Sequence, residues 1–219
     1  MILLCIVTIF SKSTTANADD RYVKLCERYF TEFAEDYGKF GQKDGFTYLY
    51  SDKKNTATIV AIPMEQKKVA VPEKINGKTV TKIELMDVFS CSSNYYFRDE
   101  FYGEHEDNPV PKVEYLSIPK TVKVINIYAG IGLTEGYCGE LQSYLVHLKK
   151  FNVASANKWY RSYKGMLYTK NGKKLLLVPR KYMAKTVKVK KGTTKIADFA
   201  FSFCTNIKKV ILPDTVKVI

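Results

Sequence analysis

The 219-residue chain is 46% apolar and carries 16 tyrosines, 12 phenylalanines and one tryptophan, which excludes wholesale disorder and suffices for one large or two small domains. Its formal net charge of +13 favours polyanionic partners over cationic ones. The chain opens on the apolar run MILLCIVTIF, too short to cross a bilayer as a helix. SKSTTANADD follows, with Ala16 and Ala18 in an A-x-A-like arrangement before Asp19. Residues 1–18 therefore read as a secretory signal peptide, although no Lys or Arg precedes the apolar run; the alternative is a buried first strand. On the signal reading the mature chain keeps no integral membrane segment. Cys5 leaves with the signal. Cys26, Cys91, Cys138 and Cys204 form no C-x-x-C pair, which argues against zinc and for buried free thiols.

Within residues 19–40, Tyr22, Leu25, Cys26, Tyr29, Phe30, Phe33 and Tyr37 recur at helical offsets, and Gly38 and Gly41 would end the helix. Residues 19–44 are thus expected to be an N-terminal helix and linker that cap a domain running from 45 to 219. Residues 45–63, GFTYLYSDKKNTATIVAIP, alternate apolar and polar on both sides of SDKKN. That pattern predicts a hairpin, with Tyr48 and Tyr50 on one arm and Ala57 and Ile59 on the other.

From residue 68 the text becomes periodic. KVAVPEKINGKTVTKI, VEYLSIPKTVKVI (113–125) and the longer copy KTVKVKKGTTKIADFAFSFCTNIKKVILPDTVKVI (185–219) repeat a strand, a turn and a return. Val113, Leu116 and Ile118 have L-x-x-L-x-L spacing, as do Leu148, Phe151 and Val153, and Ile207, Val210 and Leu212. Pro72, Pro119 and Pro213 are separated by multiples of about 23.5 positions, within the range of leucine-rich repeats. The expected fold is a β-rich repeat solenoid. Short parallel strands stack on one face, the return segments are irregular or short helices, and a β-hairpin is inserted. By this spacing the phrase at 113–125 lies four units before the closing one. The last phrase ends on Val216, Val218 and Ile219 without a polar cap, so the chain is expected to be part of a longer array or to pair its open end.

The phrase IADFAFSFCTNIKKVILPDTVKVI resembles the BspA-like bacterial leucine-rich repeat. NKWYRSYKGMLYTKNGKKLLLVP (157–179) is similar to a hairpin phrase found between such units, at Asn157, Tyr160, Ser162, Gly165, Leu167, Tyr168, Leu175 and Pro179. The resemblance covers about residues 45–219 and loosens at 92–112 and 126–147. It implies a secreted or cell-surface protein linked to adhesion and to host or matrix binding, and it brings no catalytic motif.

The residues themselves show no nucleophile elbow, H-E-x-x-H or phosphate loop, and only His105 and His147 are present. No catalytic residue, metal site or cofactor is expected. The chemistry lies in charge. Residues 141–197 hold fifteen Lys or Arg and no Asp or Glu, whereas 84–107 hold seven acids and one base. A basic half attracts polyanions, namely acidic glycans, teichoic acids or nucleic acid, while a host or extracellular-matrix protein is the partner that the resemblance implies. Nucleic acid fits poorly, because no binding motif is present. Candidate ligand contacts are Trp159, Arg161 and Lys164 in the hairpin, and Lys188, Lys190 and Lys209 on outward strand positions. The aromatic segment 94–111 adds Tyr95, Tyr96, Phe101 and Tyr102 as loop contacts. The expected function is surface binding or adhesion through the solenoid face. A structural spacer in a larger surface protein is the alternative, and a glycan-processing enzyme is a third reading, which would need two converging carboxylates.

Overall fold

The structure is a computed structural model that describes residues 39–85, 111–126 and 144–219. Three antiparallel strands come first: β1 (Lys39–Lys43), β2 (Phe46–Ser51) and β3 (Thr56–Ala61). There follow β4 (Lys68–Ala70), β5 (Lys74–Ile75), β6 (Lys78–Ile83), β7 (Tyr115–Ile118) and β8 (Val124–Ile125). Then come β9 (Lys150–Val153), the meander β10 (Tyr160–Tyr163), β11 (Met166–Thr169) and β12 (Lys174–Leu177), and finally β13 (Thr186–Lys188), β14 (Lys195–Ile196) and β15 (Lys209–Ile211). The fold is β-rich. No named element among the described residues is a helix. The helix expected over 19–40 falls outside the described residues except at its end. There Lys39 and Phe40 open a strand, and Gly41, expected to stop a helix, sits mid-strand opposite Tyr48. The reason is local. Asp44 and Gly45 take positive φ (51° and 79°) and close a two-residue hairpin loop between β1 and β2. A Cβ at Gly41 would stand 2.6 Å from the Tyr48 hydroxyl, so only glycine lets that ring lie across β1. The expected hairpin over 45–63 is present, with Tyr48 opposite Ile59 and Tyr50 opposite Ala57.

Beyond the hairpin, β5 pairs β6 and β10–β11–β12 pair in sequence as antiparallel strands, while the remaining ladders are parallel. One ladder is β4–β7–β9 and another is β13–β15. On the returning side β6 pairs β3 and β8, β12 pairs β14, and Lys195 bridges Val218. Strands β7, β9 and β15 are entered in the same way. The Lys67 carbonyl accepts from the amides of Glu114 (2.8 Å) and Tyr115 (3.0 Å). The Glu114 carbonyl accepts from Lys149 (2.8 Å) and Lys150 (3.2 Å), and Lys185 from Lys208 (2.8 Å) and Lys209 (3.1 Å). In these ladders the inward residues Val69, Leu116, Phe151 and Val187 are at most 1% exposed. The spacing departs from the expected 23.5. Paired positions are 47 apart from Lys68 to Tyr115, 35 from Tyr115 to Lys150, and 23 from Thr186 to Lys209. Only β9 and β13 stand between β7 and β15 among the described forward strands, so the two copies are not four units apart. The sequence period thus differs from one pair of strands to the next while the parallel pairing is kept.

The inserted hairpin is a wall between two cores. Leu167, Leu176 and Leu177 join the core that holds Ile59, Val69, Leu116 and Phe151. Met166, Tyr168, Leu175 and Val178 join the one that holds Val187, Val189 and Ile196. Burial on both faces explains why KKLLLVP reads as a continuous apolar run rather than an alternating one. In the final repeat Ala200, not Phe199, fills the second core, and Phe199 is exposed. On β15 and after it, Val210, Ile211 and Leu212 are about 40% exposed.

Asn157 fastens this wall to the preceding unit. It is fully buried. Its Nδ2 donates to the carbonyls of Pro119 (2.8 Å) and Val122 (2.9 Å), and its Oδ1 accepts from the amides of Trp159 and Tyr160 (both 2.8 Å). The Tyr160 hydroxyl then accepts from the Ile125 amide (3.0 Å). Asn157→Ala removes the partner of four buried or half-buried backbone groups and is expected to cost about 3 kcal/mol. Asn157→Asp, which lacks the two donors, should also destabilise. A urea midpoint unchanged in both variants would refute this assignment.

Candidate functional site

Alternation along the forward strands sends every second side chain outward, and the register aligns these side chains in rows. Lys68, Tyr115 and Lys150 form one row across β4, β7 and β9. Ala70, Ser117 and Asn152 form the next. Lys68 and Lys150 are exposed, while Tyr115, Ser117 and Asn152 are half-buried. Lys68, Val69, Ala70, Tyr115, Ser117 and Asn152 line a shallow open depression of about 480 Å³. The hairpin closes its far edge. The Phe151 amide donates to the Gly165 carbonyl (2.9 Å) and the Val153 amide to the Ser162 hydroxyl (3.3 Å). Gly165, at φ 84°, follows Lys164 in a two-residue loop, and a Cβ there would lie 2.9 Å from the Lys150 side chain.

Charge on this face is sorted by ion pairing. Glu114 bonds Lys149 (2.8 Å) and lies 3.9 Å from Lys67. The Lys149 hydrogen bond holds the Glu114 carboxyl below its usual range, and the same bond raises Lys149. Other pairs join Asp52 to Lys39 and Lys78, Glu65 to Lys112, Glu84 to Lys82 and Glu73 to Lys120. Lys68, Lys150, Lys188 and Lys209 take part in none of these pairs, so their charge faces solvent.

The candidates read from the sequence fall in three places. Lys188 and Lys209 project from the outward face of β13–β15, where Lys188 is in register with Ile211 and Thr186 with Lys209. Lys190 follows β13 and lies instead over the β11–β12 turn, where its Cε is 3.0 Å from a Cβ built on Gly172. Trp159, 38% exposed, meets the Lys123 ammonium 5.6 Å from its ring. Arg161 is half-buried, with its Nε unpartnered among the described residues, and the Lys164 ammonium lies 5.7 Å from the Tyr163 ring centroid. The hairpin set and the β13–β15 lysines are therefore separate groups. Tyr95, Tyr96, Phe101 and Tyr102 lie outside the described residues. Sequence reasoning missed Lys68, Tyr115, Ser117 and Asn152. Their signal was the "x" positions of the strand phrases, read outward only in the last copy.

Among the described residues no group of three or more His, Cys, Asp or Glu converges as a metal would need, and no helix is long and apolar enough to cross a membrane. Cys204, the cysteine within the described residues, is a free, half-buried thiol 3.5 Å from the Val178 carbonyl and 3.6 Å from that of Pro179. Burial pushes it up to about 11. Roughly one thiol in a thousand is then ionised at pH 8, which makes it a packing group and not a nucleophile. Iodoacetamide at pH 8 should alkylate Cys204 roughly tenfold or more slowly in the native protein than in urea, followed on its own peptide by mass spectrometry. Equal rates would contradict the burial.

No family model matches the sequence, and no curated protein matches it. Three solved structures are similar. A leucine-rich repeat protein from Eubacterium ventriosum is 15% identical (TM-score 0.41), the match covering 82% of this chain and 60% of that one. The pneumococcal vaccine antigen PcpA is 14% identical (TM-score 0.34), covering 83% and 66%. A leucine-rich cell surface protein from Faecalibacterium prausnitzii is 17% identical (TM-score 0.40), covering 84% and 46%. The chain thus matches about half to two thirds of the length of these proteins. Two of the three are leucine-rich repeat proteins, the family that the repeat phrases resemble.

Proposed function

We propose that this chain is a secreted or cell-surface binding module that recognises a host or extracellular-matrix protein or an acidic glycan. In this reading residues 1–18 are a signal peptide and the repeats from 45 to 219 form a leucine-rich-repeat solenoid, to which β1 adds an edge strand. The role is binding, not catalysis. The observation that carries it is the outward strand face. Unpaired lysines, a tyrosine and polar side chains stand in rows fixed by the backbone, an arrangement that repeat proteins use for extended contact. A second reading, a structural spacer in a larger surface protein, is favoured by the exposed apolar side chains of Val210, Ile211 and Leu212, which suit stacking against another strand. Residues 19–219 should bind a subset of probes on glycan and matrix-protein arrays, with affinity that falls as salt rises, because exposed lysines are screened. Silence on both arrays would sink the binding reading and leave the spacer.

A further inference from the structure

The depression on β4–β7–β9 has a composition that selects among those partners. Lys68 and Tyr115 line it, and Lys150, in register with Tyr115, completes a row in which a tyrosine stands between two lysines. Strands about 4.8 Å apart place the Lys68 and Lys150 backbones about 10 Å from one another, with Tyr115 midway. The second row runs from Ala70, which leaves open space, to the hydroxyl of Ser117 and the amide of Asn152. Neither of these groups has a side-chain hydrogen-bond partner among the described residues, so their donors and acceptors are available. Glu114 beside Tyr115 is held by Lys149 and does not oppose an anion there.

We propose that this depression is a binding site for an acidic oligosaccharide. The Tyr115 ring packs on the C–H face of one sugar. Ser117 and Asn152 bond its hydroxyls. Lys68 and Lys150 hold carboxylate or sulfate groups on either side. The depression is small, open and polar. A protein partner would instead need a larger surface with several anchors, and among the outward side chains of these three strands Tyr115 alone is aromatic. Lys164, on the loop against Lys150, extends the positive edge toward the hairpin. The inference rests on the reading of the chain as a binding module and names its ligand class and its place.

The test uses residues 19–219 and isothermal titration with three hexasaccharides: heparin-derived (sulfate and carboxylate), hyaluronan-derived (carboxylate only) and a neutral chito-oligosaccharide. At least one acidic probe should bind and the neutral one should bind at least tenfold more weakly. Tyr115→Ala and Asn152→Ala should each weaken the acidic probe about tenfold, whereas Tyr115→Phe should keep it, since packing is its main contribution. Lys68→Ala and Lys150→Ala should weaken it by a similar factor and flatten its salt dependence. Lys53→Ala with Lys54→Ala, exposed in the loop between β2 and β3, should leave it unchanged. Unaltered urea midpoints establish that each variant folds. Trp159, the sole tryptophan, sits beside Lys123 next to β8, so its fluorescence should stay still on binding. Loss of affinity in the lysine variants alone, with Tyr115→Ala and Asn152→Ala unchanged, would mean diffuse charge attraction and overturn the site. So would quenching of Trp159 with Tyr115→Ala still binding, which would move recognition to the hairpin and leave the binding-module reading standing. Binding to matrix proteins with none to any glycan would overturn the site as well, again sparing that reading.

Discussion

The fold depends on one recurrent hydrogen-bond arrangement, in which a single carbonyl ahead of β4, β7 or β13 receives two amides at the start of the strand paired with it. It occurs at Lys67, at Glu114 and at Lys185, and on the returning side the Lys173 carbonyl receives Thr194 and Lys195. A one-residue slip in a strand would turn its apolar side chains to solvent. The doubled acceptor sits where a strand begins and fixes its register. Leu116 and Phe151 are thereby committed to the core, and Tyr115 and Lys150 to the outer face. The surface rows and the core layers are consequences of the same backbone contact.

The hairpin between β9 and β13 interrupts that regularity, and its attachment is correspondingly specific. Where backbone ladders cannot continue, side chains supply the bonds. Asn157 joins two carbonyls of one unit to two amides of the next. The hydroxyls of Tyr160 and Tyr168 accept the amides of Ile125 and Lys190, and burial raises both phenols above their usual range, keeping them neutral acceptors. These are the positions at which the hairpin phrase was recognisable in the sequence. A motif of this kind is legible because a buried backbone group without a partner is costly, and few side chains can satisfy several such groups at once.

Much of the architecture was legible for comparable reasons. The strand phrases stand out because inward side chains must be apolar and alternate, and the hairpin over 45–63 follows from the same period. What escaped was β1, since KFGQK has little alternation and its strand is dictated by the Asp44–Gly45 loop and by the ring of Tyr48 over Gly41. The repeat length also escaped. A mean period near 23.5 fits the prolines, but the paired strands lie 47, 35 and 23 positions apart.

That same separation hides the candidate site. Lys68, Tyr115 and Lys150 are neighbours in space while spread over more than eighty positions of sequence, and none lies in a motif. Basic density drew attention to residues 141–197, yet on this face charge density counts less than pairing. Lys149 is spent on Glu114, while Lys150, one residue on and across the strand, is not. Since inward positions carry the core and the doubled carbonyl carries the register, outward residues are free to change without disturbing either. Specificity in such a scaffold is therefore written in the positions that the repeat pattern leaves unspecified. They become readable only after register has been assigned strand by strand.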